Sequence, residues 1–401
     1  MKSNHAPDLM ELSRRALLTG AVTALAARRA PAMQNGAMLA YVGTGTDKGK
    51  GIHLFRVDPA NGSLRELRVV AQVPSPTWLE FDPTGRFLYS TNAISNYNGT
   101  TSGSVSSFAV NRSNGDLQFI NAVSSEGGGP THLDVDPTGK YVLVANYGGG
   151  TVAVLPIQPD GSLGSATDVK KHEGPLGPVN AHMAPRGSFA ISGHDAPHPH
   201  MIMTDAAGKY ALSADLGTDR IFIWKLDTAT GKLTPNDQPF AQAVGGAGPR
   251  HFAFHPNGRW LYSINEEDST LTFFHYDPSD GTLRARMTLS TLPDAYTGTN
   301  YTSGVIVSPD GRYIYGLNRL HDTVAIFSID QTSGEMTLLG EEWTRGDYPR
   351  HLTIDPTGNF LYVLNQRADH IVTFRIQDGG SRLAFTGHYT PIGDPNRMLF
   401  L

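Results

Sequence analysis

The chain contains no cysteine. A disulfide framework, a thiol nucleophile and any cysteine-based metal site are therefore excluded. Dense basic runs are missing beyond the N-terminus, and 32 Lys and Arg against 37 Asp and Glu give a formal net charge of −5. That balance argues against nucleic acid as a partner. Apolar stretches of helical period are scarce, and no segment is long enough to cross roughly 30 Å of hydrocarbon as a helix. No Gly-x-Ser-x-Gly nucleophile motif stands out. Glycine, by contrast, is abundant at 44 residues, and its placement is regular.

The N-terminus reads "SRRALLTGAVTALAARRAPA", with a twin arginine at Arg14 and Arg15, an apolar stretch Ala16 to Ala27, and a small-residue ending Ala30-Pro31-Ala32. This resembles a twin-arginine-type export signal. We expect residues 1–32 to be that signal, residues 33–401 to be the mature domain, and the product to be periplasmic or secreted, with no membrane association after signal removal.

A turn signature then recurs: "DPTGR" at Asp82, "DPTGK" at Asp136, "DAAGK" at Asp205, "HPNGR" at His255, "SPDGR" at Ser308 and "DPTGN" at Asp355. Glycine in such a turn adopts positive φ without steric cost. Each turn leads into a short alternating strand such as "FLYSTN" or "WLYSIN", then a second like "TVAIFSI", then a polar outer strand. With one strand ahead of each turn, a unit is four strands. A period of roughly fifty residues with four strands per unit describes propeller blades. Six signatures are visible, and both ends hold leftover strands. "MLAYVGTGTDKGKGIHLFRVDPANGSLREL" supplies three and "DPNRMLFL" supplies one. The fold expected is all-β, a seven-bladed β-propeller whose ring is closed by N- and C-terminal strands sharing one blade.

Counting from the turn glycines selects equivalent positions. Eight residues before them stand Thr77, Thr131, His200, Arg250, Ser303 and Arg350, with Asn396 their counterpart in the closing blade. Eight residues after them stand Ala93, Tyr147, Leu216, Glu266, Arg319 and Gln366. Both sets belong on one face, around the channel mouth. Seven residues after the glycines, Asn92, Asn146, Asp215, Asn265, Asn318 and Asn365 recur in every blade. Such repetition indicates a structural task, bonding nearby backbone. His132, His251 and His351 directly follow the first set, which points them to the other side of the strand, with hydrogen bonds between blades as their expected role.

The stretch "GHDAPHPHMI" (193–202) clusters His194, Asp195, His198 and His200. A zinc site would need three ligands of suitable geometry. Only His200 falls on a repeat position, so a catalytic histidine led in by a loop is the preferred reading over a metal.

The motifs "YVGTGTDKGKGIHLFRVDPANGSL", "SPTWLEFDPTGRFLYSTN", "AGPRHFAFHPNGRWLYSINE", "GLNRLHDTVAIFSI" and "YPRHLTIDPTGNFLYVLNQ" resemble the seven-bladed lactonase family, which includes cycloisomerase-type 6-phosphogluconolactonases and a fungal carboxymuconate lactonizing enzyme. The resemblance spans the whole mature chain. It implies lactone chemistry without metal or other cofactor, using a His, a Glu and arginines, which by motif are His200, Glu266, Arg250 and Arg319. Three departures bear on the substrate: Gly45 replaces an aromatic, Ala93 replaces a glutamate, and Gly304 and Ile306 replace an acidic residue and a histidine.

The expected function is hydrolysis of a small-molecule lactone of the sugar type. Glu266 or His200 acts as general base or acid, and Arg250 and Arg319 polarise the carbonyl or hold an anion. Arg350, His198, Gln366 and Asn396 are the candidate substrate-binding residues. A lactonizing cycloisomerase and a non-catalytic ligand-binding propeller are the alternatives.

Overall fold

A computed structural model describes residues 38–45, 47–190 and 193–401. The expected export signal lies outside these residues. Among them, the strands form seven four-stranded sheets, and the helical content is two three-residue 3-10 turns. No helix among the described residues is long and apolar enough to cross a membrane.

Six blades follow one another along the chain: blade 2 over 78–124, blade 3 over 130–171, blade 4 over 199–242, blade 5 over 249–290, blade 6 over 302–343 and blade 7 over 349–391. Blade 1 takes its innermost strand from Pro395–Phe400 and the rest from Met38–Thr44, Ile52–Val57 and Leu64–Ala71. The terminal strands therefore pair with each other, as the leftover segments implied, and the ring has no open end.

The turn glycines behave as read. Gly85, Gly139, Gly208, Gly258, Gly311 and Gly358 all have φ between 65° and 74°. The residue opening each turn closes it from the side; Asp136 Oδ1, for example, accepts from the amides of Lys140 and Tyr141 at 2.8 Å. The strand after the turn differs from its sequence reading. In Tyr141–Asn146 and Phe360–Asn365 every residue is buried, not every second one. Each blade is sandwiched between two neighbours, so both faces of its central strands are covered. Across these sandwiches the buried hydroxyls of Tyr41, Tyr89, Tyr262 and Tyr315 donate to glycine carbonyls of the next blade. The recurrent Asn side chains do brace backbone and loops: Asn146 Nδ2 donates to the Ser125 carbonyl at 2.7 Å and Asn265 Nδ2 to Thr270 Oγ1 at 2.8 Å.

Candidate active site

One backbone hydrogen bond is repeated at the mouth of every blade. The carbonyl two residues ahead of the first site position accepts from the amide at the end of the returning strand. The pairs are Ser75–Ala93, Gly129–Tyr147, His198–Leu216, Gly248–Glu266, Tyr301–Arg319, Tyr348–Gln366 and, in blade 1, Asp394–Gly45, at 2.7 to 3.2 Å. This bond hangs Glu266 and Arg319 at equivalent places on adjacent blades. At Gly45 a Cβ would meet only the Asp394 carboxylate, a side-chain end that a larger residue could displace.

The innermost strands break register at this point. Pairing shifts between Pro199 and Met201, between Pro249 and His251, and between Pro349 and His351, which leaves His200, Arg250 and Arg350 as the extra residues of bulges. A bulge re-aims a side chain that regular pleating would send elsewhere.

Glu266 sits at the centre of the result. Its Oε2 lies 2.8 Å from Arg250 Nε and its Oε1 2.6 Å from Arg319 Nη2. Arg250 Nη1 also donates to the Ser303 carbonyl at 2.9 Å, and Arg319 Nη1 to the Tyr348 hydroxyl at 3.1 Å. All three charged residues are buried. Burial favours the neutral acid of Glu266, yet Arg319 and Arg250 outweigh it and hold the carboxyl below its ordinary value. Burial likewise opposes the charge on Arg319, and Glu266 overcomes it, raising that guanidinium. Arg350 is the least committed of the three arginines, with a single 3.4 Å bond to Gln366 Oε1. Two guanidiniums thus hold one carboxylate, and the Arg350 guanidinium adds to their field, an arrangement suited to an anion.

His200 is buried beside this cluster. Desolvation, then Arg250, Arg350 and Arg319, keep its imidazole well below the ordinary histidine value, so it is neutral at neutral pH. Its Nδ1 lies 3.1 Å from His251 Nε2. Two of the three histidines following the first set make inter-blade bonds, His251 to His200 and His351 to Arg397 at 2.8 Å, whereas both His132 ring nitrogens are buried without one. They do not turn away from the channel, however. Trp78 of blade 2 contacts His132, His251 and His351 of blades 3, 5 and 7, with ring centroids 4.1 to 5.4 Å apart. Side chains from such distant blades can meet only on the propeller axis. The bulges are the reason: with one extra residue in the strand, neighbours such as Arg250 and His251 both reach the centre.

The candidate binding residues lie at the rim. Gln366 Nε2 donates to Asp394 Oδ1 at 2.7 Å, and Asn396 Nδ2 donates to the same carboxylate at 3.0 Å. His198 stacks on Tyr147 at 4.2 Å and bonds Asp195 at 2.8 Å, and Tyr147 in turn meets His200 edge-on at 5.6 Å. His194 leaves the mouth for Asp219, 3.1 Å away. The three histidines of "GHDAPHPHMI" therefore go to three different partners. Among the described residues no three His, Asp or Glu side chains converge in a way that could hold a metal.

Comparison with known proteins bears on this arrangement. The family described as "Lactonase, 7-bladed beta-propeller" matches residues 39–400. The chain belongs to the seven-bladed β-propeller lactonase family. It is an enzyme of the lactonase class. A Bacillus subtilis 6-phosphogluconolactonase is 33% identical over 303 residues, covering 75% of this chain and 80% of that protein. A Formosa agariphila 6-phosphogluconolactonase is 31% identical over 75% of this chain and 82% of its own length. The structure of the Pseudomonas aeruginosa periplasmic gluconolactonase superposes with a TM-score of 0.82 at 29% identity, over 91% of this chain and 99% of that one.

Sequence reasoning overlooked Tyr301, Tyr348 and Asp394, although a signal for them existed. Counting ten residues back from the turn glycines gives Ser75, Gly129, His198, Gly248, Tyr301 and Tyr348. Asp394, two residues before Asn396, is the counterpart in blade 1. The Arg319 guanidinium carbon lies 5.5 Å from the Tyr301 ring centroid and 5.0 Å from that of Tyr348.

Proposed function

We propose that this lactonase-family enzyme hydrolyses a sugar lactone at the mouth of the propeller by acid–base chemistry that uses no metal. The observation carrying this reading is the buried Arg250–Glu266–Arg319 cluster beside a neutral His200. With Nδ1–H donated to His251, His200 Nε2 accepts a proton from water as the water oxygen bonds to the carbonyl carbon. The carbonyl electron pair moves onto its oxygen, where the guanidiniums stabilise it. That pair returns as the ring C–O bond breaks, and the departing alkoxide takes the proton from His200. Glu266, with each oxygen held by a guanidinium, is not free to take the proton. Its task is to aim the two arginines.

The names of the relatives support a gluconolactone-type substrate. The twin-arginine stretch and the periplasmic relative support action outside the cytoplasm. There an unphosphorylated sugar lactone is the substrate we infer, with Arg350 placed to hold an anionic group if one is present. The test is a pH-stat assay with glucono-δ-lactone and its 6-phosphate, for wild type and Arg350→Ala. Wild type is expected to accelerate hydrolysis of the unphosphorylated lactone, and Arg350→Ala to raise KM more for the phosphate than for the parent. Failure of wild type to exceed the uncatalysed rate with either lactone overturns the reading.

A further inference from the structure

We propose that Tyr348 is a catalytic residue, its hydroxyl donating a hydrogen bond to the oxygen that gains negative charge when the carbonyl is attacked. The proposal rests on the reading that a lactone is hydrolysed at this mouth. Its grounds begin with backbone conformation. The position two residues before the first site residue lies in the left-handed region in five of seven blades: Ser75 at φ 42°, Gly129 at 60°, Gly248 at 66°, Tyr348 at 61° and Asp394 at 46°. Glycine accepts that conformation freely, whereas a bulky aromatic is strained by it.

The strain is held by a clamp on every side of the residue. Asp322 Oδ1 accepts from the Tyr348 amide at 2.9 Å, and the Gln366 amide donates to the Tyr348 carbonyl at 3.0 Å. The Arg367 guanidinium lies 3.6 Å over the ring. This clamp delivers the hydroxyl to Arg319, whose Nη1 donates to it. The phenol oxygen is therefore occupied as an acceptor, and among the described residues no acceptor takes its own proton. A hydroxyl whose oxygen accepts from a cation is a stronger donor. It is half-buried, and it shares Arg319 with Glu266.

The experiment compares Tyr348→Phe and Tyr348→Ala with wild type, on glucono-δ-lactone and its 6-phosphate, alongside thermal unfolding. Phenylalanine keeps the ring under Arg367 and removes only the hydroxyl. Its expected effect is a kcat lower by about 100-fold, the scale of losing one oxyanion donor, with KM within about threefold and an unchanged melting temperature. If Tyr348→Phe keeps wild-type kcat, whether or not the alanine variant loses it, the role is packing and the proposal falls. A raised KM with intact kcat overturns it equally. Wild type inactive on both lactones is a different result, which removes the lactone reading and this assignment together.

Discussion

Glu266→Gln removes one charge from the mouth while keeping its shape. Glu266 is only 8% exposed, and each oxygen meets a guanidinium, at 2.8 and 2.6 Å. The amide retains one acceptor and turns its NH2 toward the other guanidinium, donor against donor. Breaking a buried ion pair costs about 3–5 kcal/mol. The surviving amide oxygen reduces the expectation to roughly 2–4 kcal/mol. For a domain of several hundred residues the unfolding entropy is on the order of 0.8 kcal/mol per kelvin, so melting should fall by about 3–5 °C. The variant also leaves Arg250 and Arg319 without their shared counter-ion, in the field of Arg350, and a soluble anion should substitute for it. Phosphate at about 100 times its Kd would restore about 2.7 kcal/mol, and wild type should gain less. Differential scanning calorimetry across a phosphate titration, with pH-stat activity in parallel, measures both effects. A Gln variant that melts with wild type and responds identically to phosphate would refute the charge accounting. Activity should fall by about 100-fold because the arginines lose their aim.

Two further outcomes follow from buried titrating groups. His200→Ala should lower kcat by about 10²–10⁴-fold. Because wild-type His200 is held well below 6.5, the wild-type acid limb of kcat/KM should centre below that pH, and a limb centred at or above it contradicts the assignment. Burial pushes the Asp268 carboxyl up from 3.8 to about 8, so the folded state holds a proton that the unfolded state has released. Stability therefore falls as pH rises from about 4 to 8. Asp268→Asn should gain on wild type across that window in urea denaturation, and a difference independent of pH rules this out.

Much of this was legible in the sequence because the turn glycines fix a common register. The blade count, the shared closing blade and the meeting of Arg250, Glu266 and Arg319 all follow from counting along that register. Counting could not see the bulges at His200, Arg250 and Arg350, which form where the inner strands crowd the axis. It therefore sent His251 and His351 away from the channel they line. The same register, counted ten residues back from Gly358, reaches Tyr348, but its left-handed backbone and its contacts with Arg319 and Arg367 have no local sequence sign, so counting alone does not show what it does. The path of residues 172–190 was equally hidden. It is set by distant partners, such as the Gly177 amide on the Gly217 carbonyl at 2.8 Å, and beyond it His194 is tied to Asp219.

The repeated backbone bond at the mouth makes its seven positions interchangeable sockets. Whatever residue ends the returning strand is held by its amide, so the fold is indifferent to the reagent it carries. Tyr147, Glu266, Arg319 and Gln366 fill four sockets, while Gly45, Ala93 and Leu216 leave three blank. A new substrate can then be met by changing what is plugged in, one blade at a time, with no alteration to the wiring beneath.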